Sequence, residues 1–168
     1  MPVTPSGMIS FPLAALAELL SECSAFQSWV GAAGAAEALG SVKYLSQDDD
    51  ADSDSDDRPL AVVGWSDDFE AVRDSEPPRY DHSGSLEVIF EAMADAGGHT
   101  TQSDRFFNFA NSVGAVMGEL EAKSGRGGLL LVNAFRKIAG PGRPSAKALN
   151  AGRLDVIGMV FEIDWAER

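Results

Sequence analysis

The amino-acid sequence predicts an α+β fold, a mixed and mostly antiparallel sheet of about 4–5 strands with helices packed on one face. Three observations carry that expectation. Between Thr101 and Gly125, the residues Phe106, Phe109, Ala110, Val113, Val116, Met117 and Leu120 recur at steps of three and four. They span an arc of about 120° on a helical wheel, the width of a core-facing stripe. Strand-like runs flank this helix, Ser83 to Met93 before it and Gly128 to Ile138 after it. In the last run, Leu154 to Trp165, residues Ile157, Met159, Phe161, Ile163 and Trp165 alternate with Val156, Gly158, Val160, Glu162 and Asp164. The last two runs follow each other without a long helix between them, which favours an antiparallel pair. The coarse order is α-α-β-β-β-α-β-β.

A single domain of 168 residues buries roughly 68–70% of its unfolded surface, enough for one core without staples. The one cysteine, Cys23, excludes an intrachain disulfide and suits a reducing compartment. No Lys or Arg precedes the first apolar run and Glu18 interrupts it, which argues against a signal peptide. No apolar run is long enough for a membrane-spanning helix.

The formal charge is −13, which excludes broad attraction to nucleic-acid phosphates. Its distribution is segregated. Seven Asp and no base lie between Gln47 and Arg58. Seven bases (Lys123, Arg126, Arg136, Lys137, Arg143, Lys147 and Arg153) and no acid lie between Ala122 and Leu154. Opposite signs on one molecule suit subunits that meet head to tail, although two solvated loops would look the same.

Taken in order, residues 1–9 hold two prolines and a glycine and read as an extended arm. Ser10 caps a first helix with Pro12 in its first turn, and Leu13, Leu16, Ala17, Leu20 and Cys23 form its stripe, with Leu19 at the margin. Cys23 lies on that stripe with no His beside it, the placement of a small core residue. Ser24 to Gly31 is a capped turn whose Phe26 and Trp29 pin the helix end. Ala32 to Leu39 reads as a small-residue helix, and Val42 to Ser46 as a short strand alternating Val42 and Tyr44 against Lys43 and Leu45. Residues 47–57 form an acidic loop, and Arg58 to Trp65 a buried strand begun by proline. Residues 66–82, with Pro77-Pro78, read as a long exposed loop. Gly84 to Met93 alternates Leu86, Val88 and Phe90 against Glu87, Ile89 and Glu91, one face core and the other partly wet. The central helix has Thr101 or Ser103 to cap it, Asp104 in its first turn, Lys123 in its last, and Gly125 as a C′ residue. Leu129 to Ile138 is apolar throughout its first half, as for a central strand, and residues 140–152 form a basic loop.

Chemistry is hard to find in this chain. His82 and His99 stand in predicted loops with no second histidine at ligand spacing and no Cys cluster. Gly-x-Ser-x-Gly is absent around Ser83, and neither Gly125–Gly128 nor Gly140–Lys147 continues as a phosphate loop. The spacing of Asp48, Asp50, Asp52, Asp54 and Asp56 invites a calcium-loop reading, but counting from Asp50 puts Ser55 where Gly belongs and Ala61 where the bidentate Glu belongs. The expectation is a non-enzyme with no cofactor and no metal. A calcium or ligand module on residues 47–57 and an enzyme using His82 or His99 remain as alternatives.

The central helix carries more than a core stripe needs. Phe107, Asn111, Gly114 and Gly118 share a second flank. Each interior glycine costs about 1 kcal/mol against Ala, so close approach of a strand or of a neighbouring subunit, or internal packing against the first helix, would account for them.

Ala25-Phe26-Gln27-Ser28-Trp29-Val30-Gly31, Arg58-Pro59-Leu60-Ala61-Val62, Gly84-Ser85-Leu86-Glu87-Val88-Ile89-Phe90, the helix around Asn108 to Glu119, and Phe161-Glu162-Ile163-Asp164-Trp165 stand in that order along the chain. Together these stretches resemble the tail-completion or tail-terminator proteins of long-tailed bacteriophages. The resemblance is one of pattern and order over most of residues 9–166; the Asp-rich stretch at 48–57 is longer and more charged than the family's pattern. It implies a virion protein assembled in the host bacterial cytoplasm, a homo-oligomeric ring, usually a hexamer, that caps the tail tube and joins it to the head connector. A head-side neck or adaptor protein of the same junction is the alternative. Its partners would be further copies of itself, the tail tube protein and the head–tail connector, with DNA only passing through the channel and no membrane involved. Interface candidates are Phe107, Asn111, Gly114 and Gly118, the bases Arg136, Lys137, Arg143, Lys147 and Arg153, and the acids Asp48, Asp50, Asp52, Asp54 and Asp56.

Overall fold

The stripe on the central helix faces a sheet, as its spacing requires. The structure, a computed structural model, describes residues 7–44, 58–73, 80–93, 98–123, 134–138 and 156–167. Its elements are α1 (Gly7–Ser21), α2 (Ser24–Val30), α3 (Ala35–Leu39), β1 (Val42–Tyr44), β2 (Leu60–Arg73), β3 (Tyr80–Met93), α4 (Gln102–Ala122), β4 (Ala134–Ile138) and β5 (Val156–Glu167). The strands form one five-stranded sheet in the order β1-β2-β3-β5-β4. Only β1 and β2 run parallel; the other neighbours are antiparallel. The fold is therefore α+β with a mixed, mostly antiparallel sheet.

Alternation along the strands decides which face is core. The register aligns Val63, Val88 and Phe161 across three strands, and Ala61, Phe90 and Met159 one pleat away. These side chains, with Leu86, Ala92 and Ile163, are buried against Leu16 and Leu20 of α1, Phe26 of α2, and Phe109, Val113, Val116, Met117 and Leu120 of α4. All the helices contribute to this one face. The opposite face carries a smaller apolar group, Val62, Ile89 and Val160. Half-buried against the main core, the Trp29 ring lies 6.0 Å from Phe26, 5.7 Å from Phe90 and 6.2 Å from Phe109. Phe90 meets Phe161 edge-on at 5.8 Å, the geometry that the aromatic quadrupole favours.

Several expectations are corrected. The first helix starts at Gly7, so residues 7–9 are not part of an arm and Ser10 is not its cap; Pro12 lies inside the helix. An interior proline loses a hydrogen bond, but Pro12 is buried, and Phe11 and Leu13 beside it pack on the core. Leu19, expected at the margin, is fully inside. The third helix begins at Ala35, not Ala32. Tyr44, expected to share the inner face with Val42, is 52% exposed, at the end of a three-residue edge strand with a neighbour on one side only.

The predicted loop at 66–82 is largely strand: β2 continues to Arg73 and β3 begins at Tyr80, paired from Phe69↔Gly84 to Arg73↔Tyr80. A bulge between Trp65 and Phe69 interrupts the period of two there, which hid the strand from pattern reading. Pro77 and Pro78 lie outside the described residues. The run ending at Ile138 is an edge strand, not a central one. Its apolar half, Leu129 to Val132, falls outside the described residues, and the part in the sheet reads Ala-Phe-Arg-Lys-Ile.

Candidate assembly interface

α4 is built as its sequence demands. Thr101 is the N-cap, its side-chain oxygen accepting the Asp104 N–H at 3.1 Å. The buried stripe runs Phe109, Val113, Val116, Met117 and Leu120, with Phe106 and Ala110 half-buried beside it. The predicted C′ residue Gly125 lies outside the described residues.

The second flank of α4 is open. Phe107 is 59% exposed, and Asn111, Gly114 and Gly118 are exposed along the same side. A Cβ added at Gly114 or Gly118 would meet nothing within 4 Å. Packing of α1 against these glycines, one of the explanations the sequence leaves open, is thereby removed. The other flank is occupied by α2. The Glu119 carboxylate accepts the backbone N–H groups of Ser24 and Ala25, each at 2.9 Å, and the Ser24 hydroxyl at 3.1–3.2 Å. The N-cap position of α2 is Cys23, which makes no side-chain cap, so a carboxylate from another helix does that work. The Ala25 N–H first, and the Ser24 donors with it, hold the Glu119 carboxyl below its ordinary range.

Glu119→Ala should therefore cost about 1 kcal/mol, the usual worth of a cap. Because the folded pKa is depressed, this stability is present above the ordinary carboxylate range and is lost as pH falls through the lower folded value. Urea titrations of wild type and variant at a series of acid pH values should converge at the acid end. A constant gap would show that the carboxylate's charge is not what caps α2.

On the face away from the helices, Arg58 and Glu91 form a buried ion pair. Nε and Nη2 of Arg58 donate to Glu91 Oε2 at 3.1 and 2.9 Å, and both side chains are almost wholly shielded from solvent. Burial pushes the Glu91 carboxyl up and the Arg58 charge offsets this only in part. Glu91, expected on a partly wet face, is buried, and its partner is Arg58; neither residue type signals a buried pair on its own.

The remaining candidates divide between placed and unplaced. Arg136 and Lys137 lie on the edge strand β4, with Lys137 in register with Glu162. Arg143, Lys147 and Arg153, and Asp48, Asp50, Asp52, Asp54 and Asp56, lie outside the described residues. His82, expected in a loop, sits on β3 between Ala71 and Glu167, while the His99 carbonyl accepts Arg105 Nε at 2.7 Å. The Cys23 thiol is buried and donates to the Leu19 carbonyl, and burial first, with the Glu119 charge, pushes it up to about 11. It is a core residue with no nucleophilic character at neutral pH. Among the described residues no three potential ligands gather as a metal site, and no helix is long and apolar enough to cross a membrane.

Compared with family models, with curated proteins and with solved structures, the chain finds no match in any of the three.

Proposed function

We propose that this chain is a structural ring subunit of the tail–head junction of a long-tailed phage, a tail terminator or completion protein that caps the tail tube and meets the head connector. The family identity rests on the sequence resemblance. The observation that supports an assembly role is the outer flank of α4. Two glycines sit in a helix interior at a cost of about 1 kcal/mol each, with open space around them and an exposed phenylalanine on the same side. Within the described residues that cost has no beneficiary, whereas a neighbouring backbone approaching α4 would use the missing side chains. Segregated charge favours contacts between unlike surfaces, which close into rings when the rotation allows.

Gly114→Ala and Gly118→Ala separate the two roles. Each should stabilise the isolated subunit by up to about 1 kcal/mol in urea denaturation. Each should also weaken assembly, read by sedimentation and negative-stain imaging of the chain alone and with tail tube and connector proteins. Rings or tube-bound caps are expected from wild type. A chain that stays monomeric with all these partners present would end the proposal. Preference for the connector over the tube would move it to the neck or adaptor role.

A further inference from the structure

The two edges of the sheet differ in sign. β1 pairs with β2 only from Val42↔Ala61 to Tyr44↔Val63. Among the described residues no strand lies along the outer side of β2 over residues 66–73, where the chain reads Ser-Asp-Asp-Phe-Glu-Ala-Val-Arg. Asp67, Asp68 and Glu70 outnumber Arg73, so the stretch is net acidic, with Asp67 and Asp68 inside the register irregularity between Trp65 and Phe69. At the opposite edge lies β4, Ala-Phe-Arg-Lys-Ile, which carries Arg136 and Lys137 and no acid. Lys137 is in register with Glu162 of β5. Exposed strand edges are templates for pairing, and charge is how proteins restrict them to a chosen partner.

Strand direction is compatible with such a partner. β2 is antiparallel to β3, β3 to β5, and β5 to β4. β4 therefore runs opposite to β2. A second copy related by rotation about an axis along the strands keeps its strand directions, so its β4 meets the β2 of the first copy antiparallel. Repeated, that operation is a heterologous contact of the kind that closes into a ring.

We infer that a second copy of this chain adds the basic outer edge of its β4 to the acidic outer edge of β2 at residues 66–73, so that the sheet continues from subunit to subunit. This deepens the ring reading and rests on it. The contact uses backbone hydrogen bonds for affinity and unlike charge for direction, since two β2 edges or two β4 edges would repel.

Reciprocal charge reversal tests it. Arg136→Glu alone and Asp67→Lys/Asp68→Lys alone should each weaken self-association roughly tenfold or more, because each sets like charges against one another. An equimolar mixture of the two variants should restore it, alternating around the ring. Circular dichroism confirms that each variant is folded. On the wild-type chain, amide hydrogen exchange at residues 66–73 and 134–138 should slow when the protein assembles, which needs no substitution. Rings whose amides in these segments exchange as fast as in the monomer, or variants that assemble like wild type, would overturn this contact and leave the ring standing. A mixture of folded variants that does not recover would also overturn it. A wild-type chain that never assembles, even with tail tube and connector proteins, would overturn both.

Discussion

Glu91→Ala is expected to destabilise the fold by about 3–5 kcal/mol, because it removes a buried carboxylate partner from the buried Arg58 guanidinium. The magnitude follows from where the pair sits. Arg58 Nη2 lies 2.9 Å from the Glu91 carboxylate, and neither side chain reaches bulk water to any extent. Replacing both partners tells a different story: Arg58→Met with Glu91→Leu keeps the volume apolar and should lie near wild-type stability or above it. Equilibrium urea unfolding of the singles and the double at neutral pH measures both. A single substitution that costs less than about 1 kcal/mol would mean that water reaches the pair. The pH dependence has a definite sign. Burial raises the folded Glu91 pKa, so the stability linked to its proton is present below the ordinary carboxylate range and lost as pH rises through the raised value. The difference between wild type and Glu91→Gln should accordingly fall as pH rises over that window.

Phe90→Ala should cost a similar amount, about 3–5 kcal/mol, as a large-to-small change in a closed core. Phe90 is fully buried at the middle of β3, touching Trp29 from the helical layer and Phe161 from the neighbouring strand. The cavity left by its ring would face elements from both layers, which cannot collapse onto it together. Phe107→Ala is the natural contrast. Phe107 is 59% exposed, and its removal should change the isolated subunit's stability by no more than about 0.5 kcal/mol. If Phe107 belongs to the assembly surface, its loss appears in ring formation and not in unfolding. Urea unfolding followed by far-ultraviolet circular dichroism distinguishes the two positions. Equal losses at both would contradict the separation of core and outer flank.

Such contrasts were partly legible in the residues. The stripe from Phe106 to Leu120 and the alternation from Ile157 to Ile163 are local, periodic signals, and the folded chain buries them where the periods place them. The N-cap at Thr101 was legible for the same reason, since a cap is read by its own helix. Glu119 was not. Its role as the cap of α2 depends on two helices meeting far apart in sequence, and a glutamate on a helix flank looks the same whether or not a neighbour needs it. The strand beyond Trp65 was lost to an irregularity in which four steps along β2 oppose two along β3, and that break in the ladder erases the pattern by which strands are found.

By itself, the sequence determined the α+β class, the core-facing stripe of α4, the inert setting of Cys23 and the separation of acidic from basic segments. These depend on composition and on spacing within one element. Only the tertiary structure decided that Arg58 and Glu91 share a buried bond, that no described residue fills the space beside Gly114 and Gly118, and that among the described strands the basic β4 ends the sheet instead of centring it. Each depends on which elements become neighbours. Strand order is set by the summed packing of the chain, and no single strand's residues encode it.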